Sequence, residues 1–276
     1  MTEAKWKTFL RYVVLMVFLV GILLPFYWMF VTSFKPNIEL GAYPPTLVPK
    51  SWTFMHYNEA FTQYGFGMYI RNSVIISLTS TFLVLVFSSM AGFAVARLPV
   101  KRKVPTLVAL LIISMFPPIA IVSPLYMLLR TLGWLNTYQG LIIPYTAFNM
   151  PFAIWILRNY FLQVPKALLE SARVDGATVF QSFYRIFVPL TKPGLFTAAV
   201  FTFVATWTEF FMAMTFNQSN TMRTIPVGIA MFSGQFSVPY GTIFAGSIVS
   251  ILPIVILTII FRKWIVSGLT SGALKG

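Results

Sequence analysis

Six stretches of this chain are too apolar and too long to be covered by water-facing surface. Charge-free runs occupy 12–34, 72–96, 104–129 and 131–157, the run 193–222 is broken only by Glu209, and 224–261 holds a loop and a further apolar stretch. A helix rises about 1.5 Å per residue, so about 20 apolar residues cross the roughly 30 Å hydrocarbon core of a bilayer. Six such stretches predict six transmembrane helices. Helices are the expected form because backbone facing lipid must satisfy its own hydrogen bonds. A composition of 58% hydrophobic and 9% charged residues leaves too little polar surface for a soluble globule. The expected fold class is therefore all-α: one polytopic membrane domain over 1–276, with a short tail at 1–11 and a second tail at 263–276. The first run exceeds the 7–15-residue core of a cleaved signal and lacks a small-residue cleavage site near Pro25-Phe26-Tyr27-Trp28, so it is expected to stay as a membrane helix.

The basic residues orient these helices. An even number of spans puts both termini on one side with the second and fourth loops. That side holds Lys5, Lys7, Arg11, Arg97, Lys101, Arg102, Lys103, Arg158, Lys166, Arg173, Arg185, Lys192, Arg262, Lys263 and Lys275, fifteen of the twenty basic residues. The opposite side holds Lys35, Lys50, Arg71, Arg130 and Arg223. By the positive-inside rule the first set, with both termini, is expected in the cytoplasm. The net charge of +14 then reads as an orientation signal and an attraction to anionic membrane lipid, not as a nucleic-acid footprint. With no cysteine there is neither a disulfide framework nor a thiolate metal site.

Four residues stand out inside the runs. Pro117 and Pro118, with Pro124 beyond them, lie mid-way along the third run and should break or kink its helix. Irregular backbone at membrane depth is tolerated where it faces protein or a watery cavity. That makes Met115 to Tyr126 a candidate pathway lining, and Asn149 between Pro144 and Pro151 repeats the theme in the fourth run. Glu209 is the acid inside the fifth; an ionisable group there normally faces the bundle interior or water. A position within about two turns of the outer surface would equally leave it wet. His56, the one histidine, is read as an isolated imidazole without acids nearby, on a short interfacial helix within Trp52–Phe61.

Between the fourth and fifth runs lies the longest stretch of mixed polarity, Pro165 to Pro189. Pro165 suits a first helical position, and Gly176 suits the left-handed end of that helix. Thr178-Val179-Phe180-Gln181 fits a capping box for a second helix. Val179, Phe183, Ile186 and Leu190 then recur on one helix face, and Pro189 is expected to close it. The stretch predicts a helix, a corner and a helix outside the bilayer.

The spacing Glu170-x-Ala172, Gly176, and nine residues later Ile186-x-Val188-Pro189 resembles the EAA loop of binding-protein-dependent ABC importer permeases. Ser171 and Val188 stand where that signature has alanine and leucine, both swaps of similar size. The Ala94-x-Ala96-Arg97 ending of the second run and the tail from Gly268-Leu269-Thr270 to Lys275-Gly276 resemble the carbohydrate-uptake, MalG-like branch. The resemblance implies a type I importer core over 70–262 and a cytoplasmic coupling loop over 159–190. It also implies a second permease subunit (a MalF-like heterodimer partner), two ABC ATPase subunits and an extracytoplasmic sugar-binding protein. ATP and Mg would sit on the ATPase, with no cofactor on this chain. Glu170 and Asp175 would make polar contacts with the ATPase; Ala172 and Gly176 would give the close fit and the corner, and Ile186 and Pro189 would anchor the second helix. The C-terminal tail would reach the ATPase dimer interface.

The residues offer no rival chemistry. The chain has no second histidine, no His-Glu-x-x-His pattern and no Gly-x-x-x-x-Gly-Lys-[Ser/Thr] loop, so it is not expected to hydrolyse ATP itself. Two other readings stay open at this point: the same kind of permease with an amino-acid or peptide cargo, and a non-transporting membrane scaffold or sensor.

Overall fold

A computed structural model describes residues 2–115, 117–232 and 238–270, with side chains from Lys5 to Trp264 among them. The described residues form helices and connecting loops, without a strand. In chain order they are α1 (Thr2–Ser33), α2 (Asn37–Leu40), α3 (Met55–Thr62), α4 (Phe66–Arg97), α5 (Lys103–Met115), α6 (Pro118–Thr131) and α7 (Gln139–Gln163). Then follow α8 (Lys166–Val174), α9 (Val179–Ser182), a π turn at Phe183–Phe187, α10 (Val188–Leu190), α11 (Lys192–Trp207), α12 (Phe211–Phe216), α13 (Ile225–Ala230) and α14 (Tyr240–Thr270).

Among the described residues, four helices are long and apolar enough to cross a membrane: Lys5–Ser33, Phe66–Arg97, Gln139–Gln163 and Tyr240–Trp264. Two bent pairs, α5 with α6 and Val179–Leu190 with α11, raise the number of spans to as many as six. The third run is broken as expected, with Pro117 extended and Pro118 at the first helical position of α6, where its missing N–H costs nothing. The fourth span differs from the charge-free run 131–157, since α7 begins only at Gln139 and continues past Arg158 to Gln163. Its start is delayed by a turn in which Gly133 (φ 68°) and Asn136 (φ 56°) are left-handed. It ends because Val164 precedes Pro165 and is extended. The last helix runs on to Thr270, nine residues past the expected end at Phe261, and the remainder of the tail, 271–276, lies outside the described residues.

Two compact units make up the chain. The first is Met1–Gly67 with Gly228–Leu252. In it α2 and α3 lie on the segment after α1, where Lys35 Nζ donates to the Thr46 carbonyl at 2.5 Å and sits 4.6 Å above the Trp28 ring. Glu39 accepts from the Thr46 hydroxyl and, at 3.1 Å to each oxygen, from the Lys50 N–H.

The second unit is Met68–Val227 with Pro253–Gly276. Its helices pack through small residues, which let membrane helices approach closely. Along α4, Ser80 and Ser88 donate to the Ile142 and Met150 carbonyls of α7 at 3.5 and 3.3 Å. One turn further, the Gly92 α-carbon faces Ile154 and Arg158 so closely that an added methyl would lie 3.1 Å from the Arg158 nitrogen. At the other end Asn72 donates to the Thr221 and Arg223 carbonyls, both at 2.9 Å, and accepts from the Tyr138 hydroxyl. That fixes the 217–227 connection against α4 and α7.

Candidate functional site

The loop between α7 and α11 is built by local hydrogen bonding. At the end of α8, Ala177 N–H reaches the Ala172 carbonyl at 2.8 Å and Gly176 N–H the Arg173 carbonyl at 3.1 Å, the paired bonds of a Schellman close. Gly176 takes φ 78°, which other residues adopt only with strain. The chain then restarts at once. Gln181 N–H donates to Thr178 Oγ1 at 3.1 Å while Thr178 N–H donates to Gln181 Oε1 at 2.8 Å, completing the capping box.

The second helix departs from the regular face expected of it. Phe183–Phe187 is a π turn, in which Val188 N–H bonds the Phe183 carbonyl five residues back. Pro189 supplies the reason: it has no N–H for the Arg185 carbonyl and its ring crowds that oxygen, so the turn widens. The register shifts with it. Phe183 and Phe187 are buried, Ile186 is half-buried, and Val179 and Leu190 are exposed. Pro189 is not the closing residue either: the helix continues to Leu190 and bends by 79° into α11.

Packing decides which loop residues remain available. Leu169 of α8 joins Phe93, Leu157, Phe161, Phe183 and Phe187 in one buried cluster, an anchor worth about 2 kcal/mol. Ala172 is buried beside it, at 6% exposure, inside this chain. Glu170, Asp175, Gly176 and Pro189 are exposed. So are Val174, at 88%, and Phe180, at 61%. The exposed face thus mixes two carboxylates with unshielded apolar side chains.

Elsewhere in the same unit, Pro118, Asn149 and Glu209 line one cavity of about 470 Å³ together with Ser114, Tyr145 and Phe211. Pro117 is not in its wall but supplies the extended residue ahead of α6. Glu209 sits where the fifth span breaks, between α11 and α12. The sequence run shows no such break, and the side chain explains it. Glu209 Oε1 accepts from Met212 N–H at 2.8 Å, and Oε2 accepts from Ala213 N–H at 3.1 Å and from the Tyr145 hydroxyl at 2.5 Å. The carboxylate therefore satisfies free donors at the start of α12 and ties them to α7. Asn149 gives its amide N–H to the Tyr145 carbonyl at 2.8 Å. Through these bonds Glu209, Tyr145 and Asn149 help hold the cavity's walls.

Two residues of consequence were not legible as such. His56 is not isolated. It is 1% exposed, its Nε2 lies 2.8 Å from the Lys35 carbonyl, and its Nδ1 lies 3.4 Å from Glu59 Oε2, which also accepts from the Thr242 hydroxyl at 2.8 Å. Arg97 is more than a basic end to α4. Its guanidinium donates to the Phe161 and Val164 carbonyls at the end of α7. The Ala-x-Ala-Arg ending hinted at Arg97, and Glu59, one turn on from His56, was the signal for the histidine.

Helices crossing a membrane, one of them broken beside a cavity, and a capped two-helix loop between two spans define a transport permease. The model of the family described as "Binding-protein-dependent transport system inner membrane component" matches residues 86–271. The sulfoquinovosyl glycerol transport system permease protein SmoH of Agrobacterium fabrum is 37% identical over 267 residues, 97% of this chain and 94% of that one. The trehalose/maltose transport system permease protein MalG of Thermococcus litoralis is 40% identical over 257 residues, 92% of each. The crystal structure of a bacterial ABC transporter that imports the acidic polysaccharide alginate contains a chain of like fold, with TM-score 0.84 at 20% identity, covering 95% of this chain and 97% of that one.

This chain belongs to the binding-protein-dependent transport system inner membrane family. It is a multi-pass membrane permease subunit of an ABC importer and not an enzyme, ATP hydrolysis belonging to separate ATPase chains. Membership implies a partner permease, an ATPase and a substrate-binding protein.

Proposed function

We propose that this chain forms half of the translocation path of an ATP-driven sugar importer and takes its work from the ATPase through the 165–190 loop. The observation that carries the cargo is that relatives matched over more than 90% of both chains are permeases for trehalose, maltose and sulfoquinovosyl glycerol. Each of these is a glycoside. The other half is a MalF-like permease, two ATPase subunits carry ATP and Mg, and an external sugar-binding protein delivers the substrate. The distribution of basic residues supports termini, the 97–103 turn and the 165–190 loop on the cytoplasmic side.

In this reading each ATPase subunit grips one such loop. Glu170 and Asp175 meet polar groups of the ATPase, Val174 and Phe180 fill an apolar depression in it, and Gly176 sets the corner. Ala172 fits α8 onto the chain's own core, and Ile186 and Pro189 hold the second helix. Closure of the ATPase dimer moves α8, and the spans attached to it turn between inward-open and outward-open states. ATP drives this because it binds the two states with different free energy. Pro118, Asn149 and Glu209 line part of the path.

The test is uptake of radiolabelled trehalose, maltose, amino acids and dipeptides by cells with and without this gene. Selective loss of sugar accumulation is the expected outcome. Loss confined to amino acids or peptides would overturn the cargo, and no loss in any class would overturn the transport reading for these substrates.

A further inference from the structure

The loop can hand work to the spans only through the contacts that bind it to them, and one side chain sits at the junction of three. Arg97 is the last residue of α4. Its Nε donates to the Phe161 carbonyl at 2.9 Å, and its Nη2 donates to the Phe161 and Val164 carbonyls. Those oxygens are orphans for a reason written in the sequence. In a continuing helix Phe161 C=O would accept from residue 165, which is proline and has no N–H. Val164 is extended, its own carbonyl beyond the last turn of α7. Phe161 and Val164 are both buried, so water does not reach these acceptors easily, and leaving them bare would be costly. The planar guanidinium fork meets both; an ammonium is a single point and meets them less well. Its charge also faces the negative end of the α7 dipole.

The same guanidinium lies 5.4 Å from the centre of the Phe187 ring. Phe187 ends the π turn of the loop and is fully buried among Phe93 of α4, Phe161 of α7 and Phe183, with ring centres 5.0 Å from Phe93 and 6.4 Å from Phe161. Arg97 thus touches the second span, the end of the fourth span and the second helix of the loop. Closely packed interiors of this kind transmit displacement instead of absorbing it.

We propose that Arg97 is a positioning residue for energy coupling, the clasp that makes the loop move as one body with the second and fourth spans. The proposal rests on the reading that the loop receives work from the ATPase. Without the clasp the loop still folds, since its Schellman close and capping box are local, but it slips against α4 and α7 when pushed.

The experiment compares Arg97→Gln, Arg97→Lys and Phe187→Leu with the wild-type chain in the complete importer, reconstituted in liposomes with its binding protein. Three quantities are read: the amount of assembled complex, ATP hydrolysed, and uptake of radiolabelled maltose or trehalose. A charge-assisted bond to a buried carbonyl is worth enough that Arg97→Gln should raise ATP hydrolysed per sugar taken up about tenfold. Arg97→Lys should raise it less, and Phe187→Leu, which loses the cation–ring contact together with the ring contacts to Phe93 and Phe161, by about threefold. A merely structural role would lower the amount of complex and leave that ratio alone, which would overturn the proposal. If both arginine variants fail to assemble, Phe187→Leu decides it in the same way. Glu170→Lys and Gly176→Asp run alongside. If they uncouple while the Arg97 and Phe187 variants do not, this inference alone falls; if they too keep the wild-type ratio, the reading of the loop falls with it.

Discussion

Gly241 lies flat against the imidazole of His56: a methyl group on its α-carbon would fall 2.2 Å from Nε2 and 2.4 Å from Cδ2 and Cε1. The ring has nowhere to go. Its Nε2 must carry the proton given to the Lys35 carbonyl, since a carbonyl only accepts, and Nδ1 faces Glu59 and Thr242. The first turn of α14 is therefore seated on a buried polar group that cannot yield. Gly241→Ala is expected to destabilise this unit by about 1–3 kcal/mol, the usual cost of overpacking. The heat-induced aggregation midpoint of the detergent-purified chain measures it, and an unchanged midpoint would show that the contact is loose.

The corner at Gly176 gives a second expectation. Its φ of 78° is left-handed, so Gly176→Ala strains the loop by about 1 kcal/mol without meeting any neighbour. Gly176→Asp adds a charge to that strain. Both chains should insert normally, judged by membrane fractionation, while uptake falls and ATP hydrolysis persists. Glu170→Lys should behave like Gly176→Asp. Full transport in both charged variants would remove the loop from the coupling path.

Thr178→Ala removes one arm of the capping box and should cost the second loop helix about 1 kcal/mol. Hydrogen exchange over 178–184 is the measurement, with faster exchange expected there and none of the change spreading into α7.

At the break of the fifth span, Glu209→Gln keeps one acceptor and turns the other into a donor, which leaves either the Met212 or the Ala213 N–H without its acceptor. One backbone bond is lost and the others no longer reach a carboxylate, enough for about a tenfold fall in uptake if the break must hold its shape. Tyr145→Phe removes one of the same bonds and should lower uptake less. Normal uptake in Glu209→Gln would make the carboxylate dispensable.

Glu39 supplies a pH dependence. The Thr46 hydroxyl above all, opposed in part by burial and helped by the Lys50 N–H and the nearby Lys35 charge, holds its carboxyl below the ordinary glutamate value. A lowered folded-state pKa stabilises the segment at pH above the ordinary glutamate value, and that contribution fades as pH falls through the lowered value. Limited proteolysis of the 35–50 segment should accelerate at acid pH in the wild-type chain. In Glu39→Gln the acid dependence should be largely absent.

What could be read from the residues alone was what local chemistry writes into them. Charge-free runs locate spans because lipid excludes charge, and Pro117-Pro118 locates the break because two consecutive prolines cannot continue a helix. Gly176 and Thr178-x-x-Gln181 give the corner because capping needs only neighbours in sequence. The rest depends on distant partners. Arg97 and Phe161 are 64 residues apart, and His56 and Thr242 are 186. The α11–α12 break is silent because Glu209 stands in a run otherwise free of charge, and its caps are backbone donors. The face expected from Val179, Phe183, Ile186 and Leu190 assumed a 3.6-residue period that the π turn does not keep.

That wide turn makes chain length a protected quantity at this point. Deleting any one residue between Phe183 and Phe187 would remove the extra residue of the wide turn and rotate what lies on either side of it by about 100° relative to the other. The aromatic anchors and the fifth span would then point in different directions. Trading one ring for another apolar group should be tolerated better than losing a single residue, so natural variation in this stretch should alter length least of all.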